Sequence, residues 1–332
     1  MKASVIIPYK NRLNTIIPVL EAIFNQNISK SEYEVILGSL DSYDKTITLK
    51  EKYPFLKIIT HLSEEWNPSL ARNIGIKAAK GKRIILIDAD ILVKKDFISS
   101  HLILGKFYDI IVGSVANYNE NKNMKKDNFI TKNDDIRWSI NPNDAPLKWA
   151  LCWTGNISIN RRFFDENIYF DESFTGWGGE DLEFMYKLKE KNATILFCKE
   201  ISTKHLSHIR NVKINREQEK INFIKFLYKH QDPEVEFVVH FGDLIANKIF
   251  KEYYCPNLLE YCIIIKNNMQ KIIIGVKTNK SQYYKPYDEI LNLSGISLPF
   301  MDHTFKECIL LKTKLNTKIT KIIKNEIKRL KK

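Results

Sequence analysis

Over the first 90 residues, short apolar runs alternate with stretches of helical spacing. The runs are Val5–Ile7, Glu34–Leu37, Lys57–Ile59 and Ile84–Ile87. Between the first two, Thr15–Phe24 places Ile16, Ile17, Leu20, Ile23 and Phe24 at helical steps. Thr46–Lys52 reads as a second helix, and Pro68–Ala79, with Leu70, Ile74 and Ala78 on one face, as a third that Gly81 ends. Strand–helix alternation of this kind requires right-handed crossovers and a mostly parallel sheet flanked by helices, a Rossmann-like α/β class. Ligands of such sheets collect beyond the carboxyl ends of the strands. Asp88 and Asp90 stand at one such end, directly after Ile84–Ile87.

Beyond Ile110 the pattern becomes strand, long polar stretch, strand. Residues 117–145 are rich in Asn, Asp and Lys and read as a mobile insertion. Asn156–Asn160 reads as a strand, and Leu182–Leu188 lies in a helix. At 332 residues the chain exceeds an ordinary single domain. The expected division is a first domain over 1–210, made of halves 1–100 and 101–210. A mainly helical extension over 211–332 would follow, with a β-piece at Ile272–Val276.

The formal net charge is +13, which suits an anionic partner such as a nucleotide or an acidic surface. It equally suits a lysine-rich solvated face. The five cysteines are an odd number without a CxxC pair, so zinc-site spacing is absent and reduced thiols are expected. No apolar run approaches the roughly 20 residues of a membrane span. The chain opens straight into a strand-like run, and a cytoplasmic location is expected.

Three constellations carry chemistry. In Asp88-Ala89-Asp90, alternation along an extended chain would put both carboxylates on one side, as hard oxygen donors for Mn2+ or Mg2+ and its substrate phosphates. Aspartates at a strand end also serve as turn caps. In Gly176-Trp177-Gly178-Gly179-Glu180-Asp181, the glycines permit a tight backbone, and the tryptophan offers a face on which a sugar can stack. Capping a helix N-terminus would account for one of the two acids. His205 and His208 supply imidazoles that can ligate a metal or act as a base.

Val5-Ile6-Ile7-Pro8-Tyr9-Lys10-Asn11, Leu70-Ala71-Arg72-Asn73-Ile74-Gly75 and Ile87-Asp88-Ala89-Asp90 together resemble the GT-A nucleotide-sugar glycosyltransferases. Gly176–Asp181 is similar to the Trp-Gly-Gly-Glu-Asp element of β-1,4-galactosyltransferases, bacterial chondroitin polymerases and polypeptide N-acetylgalactosaminyltransferases. The resemblance covers roughly residues 2–210. It implies a GT-A fold, a catalytic domain over 1–210 with a nucleotide-binding half (1–100) and an acceptor half (101–210), and roles for individual residues. Pro8, Tyr9 and Asn11 would line the nucleoside pocket, with Arg72 near the base and phosphates. Asp88 and Ala89 would face the donor, and Asp90, His205 and Asp88 would hold Mn2+ (or Mg2+). Asp181 would be the general base, helped by Glu180. Trp177, Gly178, Gly179 and Trp153 would face the sugar and acceptor. One departure stands out. Where such enzymes carry an aspartate that reads uracil, this chain has Ser39, with Asp41 or Asp44 as substitutes from a shifted turn.

The implied reaction is transfer of a hexose, galactose or N-acetylgalactosamine, from a UDP-sugar to a glycan or lipid-linked acceptor in surface polysaccharide synthesis. A single carboxylate base implies inversion, although the N-acetylgalactosaminyltransferases retain configuration. A peptide acceptor is the alternative within the enzyme class. The alternative outside it is a basic nucleic-acid-binding protein on an inactive fold, which charge alone supports; no nucleic acid is expected. Phe305–Leu330 carries Cys308, Leu311, Leu315, Ile319 and Ile322 at three- or four-residue steps. It reads as a basic amphipathic helix that would bring the chain to an anionic membrane surface, peripherally on the inner face. The other reading is a packed helix with a solvated lysine face.

Overall fold

The computed structural model describes residues 1–40, 42, 46–117, 135–206, 212–253, 263–266, 271–274, 289–291, 293–310 and 317–331. These residues form two compact units, 1–144 with 148–219, and 145–147 with 220–332.

The first unit is built on an eight-stranded sheet. Its strands are β1 (Ala3–Tyr9), β2 (Tyr33–Leu40), β3 (Leu56–His61), β4 (Arg83–Ile87), β5 (Ile91–Leu92), β6 (Ile110–Asn117), β7 (Asn156–Asn160) and β8 (Ile195–His205). The spatial order is β3-β2-β1-β4-β7-β6-β8-β5. β1 pairs in parallel with both β2 and β4, and β2 with β3. β7 joins the sheet antiparallel to β4 and β6, and β5 antiparallel to β8. Every residue of β1, β2 and β4 is buried. Helices cover both faces of these strands, which is why they read as unbroken apolar runs instead of alternating ones.

Helices α1 (Leu13–Phe24), α2 (Leu49–Lys52) and α3 (Pro68–Ala78) connect the parallel strands. α3 starts where its sequence dictates: Asn67 accepts the Leu70 N–H, and Pro68 occupies the first turn. The remaining helices of this unit are α4 (Phe97–Leu104), α5 (Arg162–Asp165) and α6 (Glu180–Glu190), with the first turns of α7 (Val212–Lys229).

Strand order reverses between β1 and β4, because the chain moves outward through β2 and β3 before returning to β4 on β1's other side. A reversal of this kind opens a crevice beyond the carboxyl ends of the two central strands. The segments leaving those ends are Lys10–Arg12 and Asp88–Asp90.

Residues 135–145 are built into the fold, contrary to the mobile insertion expected over 117–145; residues 118–134 lie outside the described part. Arg137 is fully buried. It pairs with Asp135 and donates to the carbonyls of Leu151 and Gly113. A guanidinium so fully satisfied fixes the loop around it.

The second unit contains α8 (Pro233–Phe241), α9 (Asp243–Tyr253) and α10 (Thr317–Leu330). It also holds a sheet ordered β11-β10-β9-β12. Those strands are β9 (Ile263–Lys266), β10 (Lys271–Ile274), β11 (Glu289–Leu291) and β12 (Glu307–Leu310). The β-piece expected at Ile272–Val276 is thus one strand of a sheet. The helix expected over Phe305–Leu330 is corrected: Cys308 sits on β12, paired with Ile265 of β9, and the described helix begins at Thr317. Ile319, Ile323 and Leu330 of α10 are buried, while Lys321, Lys324 and Lys328 are exposed. No described helix is long and apolar enough to cross a membrane.

Candidate active site

A cavity of about 950 Å³ opens at the crevice beyond β1 and β4. It falls within the range of small-molecule sites. Of the residues singled out in the sequence, Pro8, Asn11 and Arg72 line it, together with Asp88, Ala89 and Asp90 from the end of β4. Trp153, Trp177, Glu180, Asp181 and His205 complete the wall.

Four others do not line it. Tyr9 is fully buried in the sheet core, because its side chain falls on the face covered by α1. Ser39, beside Tyr9 in register, is almost fully buried, and its hydroxyl pairs with that of Ser42 (3.1 Å). Gly178 packs toward Glu219, and Gly179 takes the cap position of α6. Asp41, Asp44 and His208 lie outside the described residues.

The chain turns at Asp88–Asp90 rather than continuing extended, with the Ile91 N–H donating to the Asp88 carbonyl (3.2 Å). The two aspartates therefore serve different partners. The Asp88 carboxylate, over a third exposed, meets Arg72 at 3.3 Å. Asp90 is nearly buried; its Oδ2 lies 3.4 Å from Arg12 and its Oδ1 3.5 Å from Nε2 of His205.

Strand pairing brings His205 there. Ile91 of β5 stands opposite His205, the last residue of β8, and the Leu206 N–H donates to the Asp90 carbonyl (2.7 Å). Backbone register thus brings Asp90 and His205 side by side.

Among the described residues no group of three His, Cys, Asp or Glu side chains is placed to hold a metal ion. An open site does not require one. Mg2+-type ions keep several waters and use one or two carboxylates together with substrate phosphates. At ligand distances of roughly 2.0–2.2 Å, two donors 3.5 Å apart can meet one ion. Asp90 and His205 fit such an ion, and their hard oxygen and imidazole nitrogen suit Mn2+.

Arg72 holds the other acids together. Its side chain is almost fully buried, meeting Glu180 at 3.1 Å as well as Asp88 at 3.3 Å. Burial alone would lower its pKa, but Asp88, Glu180 and Asp181 outweigh that and hold it above its usual value. Phe170 lies against the guanidinium at 5.3 Å.

The segment Gly176–Asp181 depends on its glycines. Gly176, Gly178 and Gly179 all have positive φ (74°, 87° and 89°), a region other residues adopt at a cost. Gly179 has no side chain with which to cap α6. Neither acid occupies the cap position: Glu180 goes to Arg72, and Asp181 takes the Leu182 N–H (2.9 Å) from within the first turn. Asp181 borders the cavity, and Trp177 is 43% exposed beside it.

Arg12, Trp66, Ile214, Asn215 and Gln218 also line the cavity and were given no role by sequence reasoning. Arg12 directly follows the Val5–Asn11 motif, which could have signalled it. The α7 residues gave no signal, since that helix reads as mixed and polar.

Residues 4–168 match the family model described as glycosyl transferase family 2. Residues 136–212 match the model described as the N-terminal domain of galactosyltransferase. The chondroitin synthase of Pasteurella multocida (strain Pm70) is 22% identical over 306 residues, covering 78% of this chain and 31% of that protein. The chain therefore spans less than a third of that relative's length. The crystal structure of S. aureus TarS in complex with UDP-GlcNAc is 18% identical with a TM-score of 0.54, over 76% of this chain and 73% of that one. That of GalNAc-T7 with UDP, GalNAc and Mn2+ is 16% identical with a TM-score of 0.51, over 73% and 50%. These likenesses establish the fold, and the two family models together run from residue 4 to 212. Residues 4–212 belong to the glycosyltransferases, as a glycosyl transferase family 2 part over 4–168 that overlaps a galactosyltransferase-type segment over 136–212, on a GT-A fold.

Proposed function

We propose that the protein transfers a hexose from a UDP-sugar to a saccharide acceptor, with Asp181 as the base and a divalent cation held by Asp90 and His205. One observation carries this reading: Asp90, His205, Asp181 and the Arg72 cluster surround a single cavity of a size suited to a nucleotide sugar. UDP-galactose and UDP-N-acetylgalactosamine are the favoured donors, on the strength of the Trp-Gly-Gly-Glu-Asp element. The acceptor is a glycan or a lipid-linked sugar in polysaccharide synthesis.

The mechanism follows from charge. Bond breaking places negative charge on the departing diphosphate, and electrostatic stabilisation of that charge is the strongest means of acceleration open to the enzyme. When bound, the cation would act there as a Lewis acid. Arg12 and Arg72 border the same space with positive charge. Arg72 bridges Asp88 and Glu180, setting a positive charge between the two carboxyl groups. Asp181 takes the proton of the attacking hydroxyl at its carboxylate, and Trp177 offers an apolar face to the acceptor ring. Attack assisted by one carboxylate, opposite the leaving group, inverts the anomeric centre.

The decisive experiment is release of UDP from a panel of UDP-sugars, with and without Mn2+. Metal-stimulated release from one of them is expected. Absence of release from every donor with Mn2+ present would remove the transferase reading. His205→Ala should raise the Mn2+ needed for half-maximal rate by at least the roughly 10–100-fold that follows loss of even an outer partner of a ligand. An unchanged titration would exclude His205 as a ligand.

The reading extends to peripheral contact with an anionic membrane surface. Because the apolar stripe of α10 is buried, its lysine face would be the source of attraction. Replacing Lys321, Lys324 and Lys328 by Glu should abolish retention on vesicles containing anionic phospholipid at low salt. Equal retention would end the membrane part of the proposal.

A further inference from the structure

The Gly176–Gly179 turn rests on α7, one of the elements for which the sequence assigned no function. Oε1 of Gln218 accepts the N–H of Trp177 at 3.1 Å. A Cβ on Gly176 would lie 2.4 Å from Cδ of Gln218 and 2.5 Å from its Oε1, closer than real contacts allow. Gly178 faces the next residue: a Cβ there would lie 3.2 Å from Cγ of Glu219. On the other side, the Gly176 N–H donates to the carbonyl of Trp66 (3.0 Å). The turn is thus held between Trp66 and two successive side chains of α7, while Trp177 remains 43% exposed at the cavity wall.

We propose that Gln218 is a positioning residue: the hydrogen bond it accepts from the Trp177 backbone N–H holds the turn that carries the indole on which the acceptor sugar stacks. The proposal rests on the reading of Trp177 as the acceptor platform. An exposed indole on a glycine-rich turn can rotate and shift, and ordering it only when acceptor arrives would weaken binding. A hydrogen bond accepted from the Trp177 backbone restrains the turn that carries the indole and so lowers that cost beforehand. Gln218 acts through Trp177, whereas the proposed donor side is organised by a separate set of contacts, Asp90 with Arg12 and His205, and Arg72 with Asp88 and Glu180.

This separation sets the test. Gln218→Met keeps the length of the side chain and removes the acceptor oxygen. Gln218→Glu keeps an oxygen in place. Acceptor KM, kcat and acceptor-independent hydrolysis of the UDP-sugar would be measured in parallel, with the donor found active in the UDP-release panel and a saccharide acceptor found in turn by its acceleration of that release. Gln218→Met should raise acceptor KM on the order of tenfold, with hydrolysis and donor KM little changed. Gln218→Glu should stay close to the parent. An unchanged acceptor KM in Gln218→Met would overturn the proposal. So would equal impairment of both variants, because packing or charge would then be the cause, and so would a parallel loss of donor hydrolysis. If the parent protein itself released no UDP from any donor, the transferase reading would fail first, which distinguishes that failure from this one.

Discussion

Asp181→Asn should cost about 10²–10⁴-fold in transfer rate, the range set by loss of a positioned general base, while donor affinity changes by no more than a few-fold. The substitution is conservative where it needs to be. Asn retains the oxygen that accepts the Leu182 N–H at 2.9 Å, so the first turn of α6 keeps its shape. It loses the capacity to take a proton. In the proposed reading donor binding depends on the other wall of the cavity, where Asp90 lies beside Arg12 and His205. Single-turnover transfer and calorimetric titration of the UDP-sugar with Mn2+ separate the two quantities. Normal turnover in Asp181→Asn would move the base elsewhere. Glu180 would then be the nearest carboxylate, but it is nearly buried and held by Arg72 at 3.1 Å, so it is poorly placed to receive a proton. A large loss of donor affinity would instead mean that Asp181 contributes to the donor or cation site.

How far the chain could be read without coordinates depended on how local each feature is. β1, β4 and β7 were legible because an apolar run closed by Pro, Asp or Asn has few other folds in an alternating chain. β7 was found with its true ends, Asn156–Asn160. The pairing of Asp90 with His205 was accessible only through family resemblance. It depends on β5, a strand of two residues with no pattern of its own, lying against the end of β8. The same limit hid α7, whose Gln218 acts across 41 residues of sequence. Around Cys308 the spacing misled outright. Steps of three and four suit a helix, yet Glu307–Leu310 finds a strand partner in Ile263–Lys266, and a short apolar segment takes whichever partner the tertiary structure offers. Tyr9 and Ser39 were misplaced for a related reason. The motif puts them near the nucleotide, but strand alternation turns the tyrosine into the core and seals the serine beside Ser42.

Replacement of Arg72 by Met should be the most damaging change in the site that is not at a reacting group. The guanidinium is 6% exposed and meets two carboxylates, of which Glu180 is itself only 11% exposed. Removing one partner of a buried pair strands the other, at a typical cost of about 3–5 kcal/mol. Asp88 is more than a third exposed, so water absorbs part of its share, and Glu180 accounts for most of the loss. The first unit should therefore melt several degrees lower. Arg72→Lys tests geometry separately from charge: a single ammonium cannot span both carboxylates as the planar fork does, so intermediate stability is expected together with a clear loss of transfer. Adding Glu180→Gln to Arg72→Met should restore stability without restoring activity. If Arg72→Met melted at the parental temperature, the ion pairs would contribute nothing to the fold, and the case for Arg72 as the residue that organises the acidic side of the cavity would fall with them.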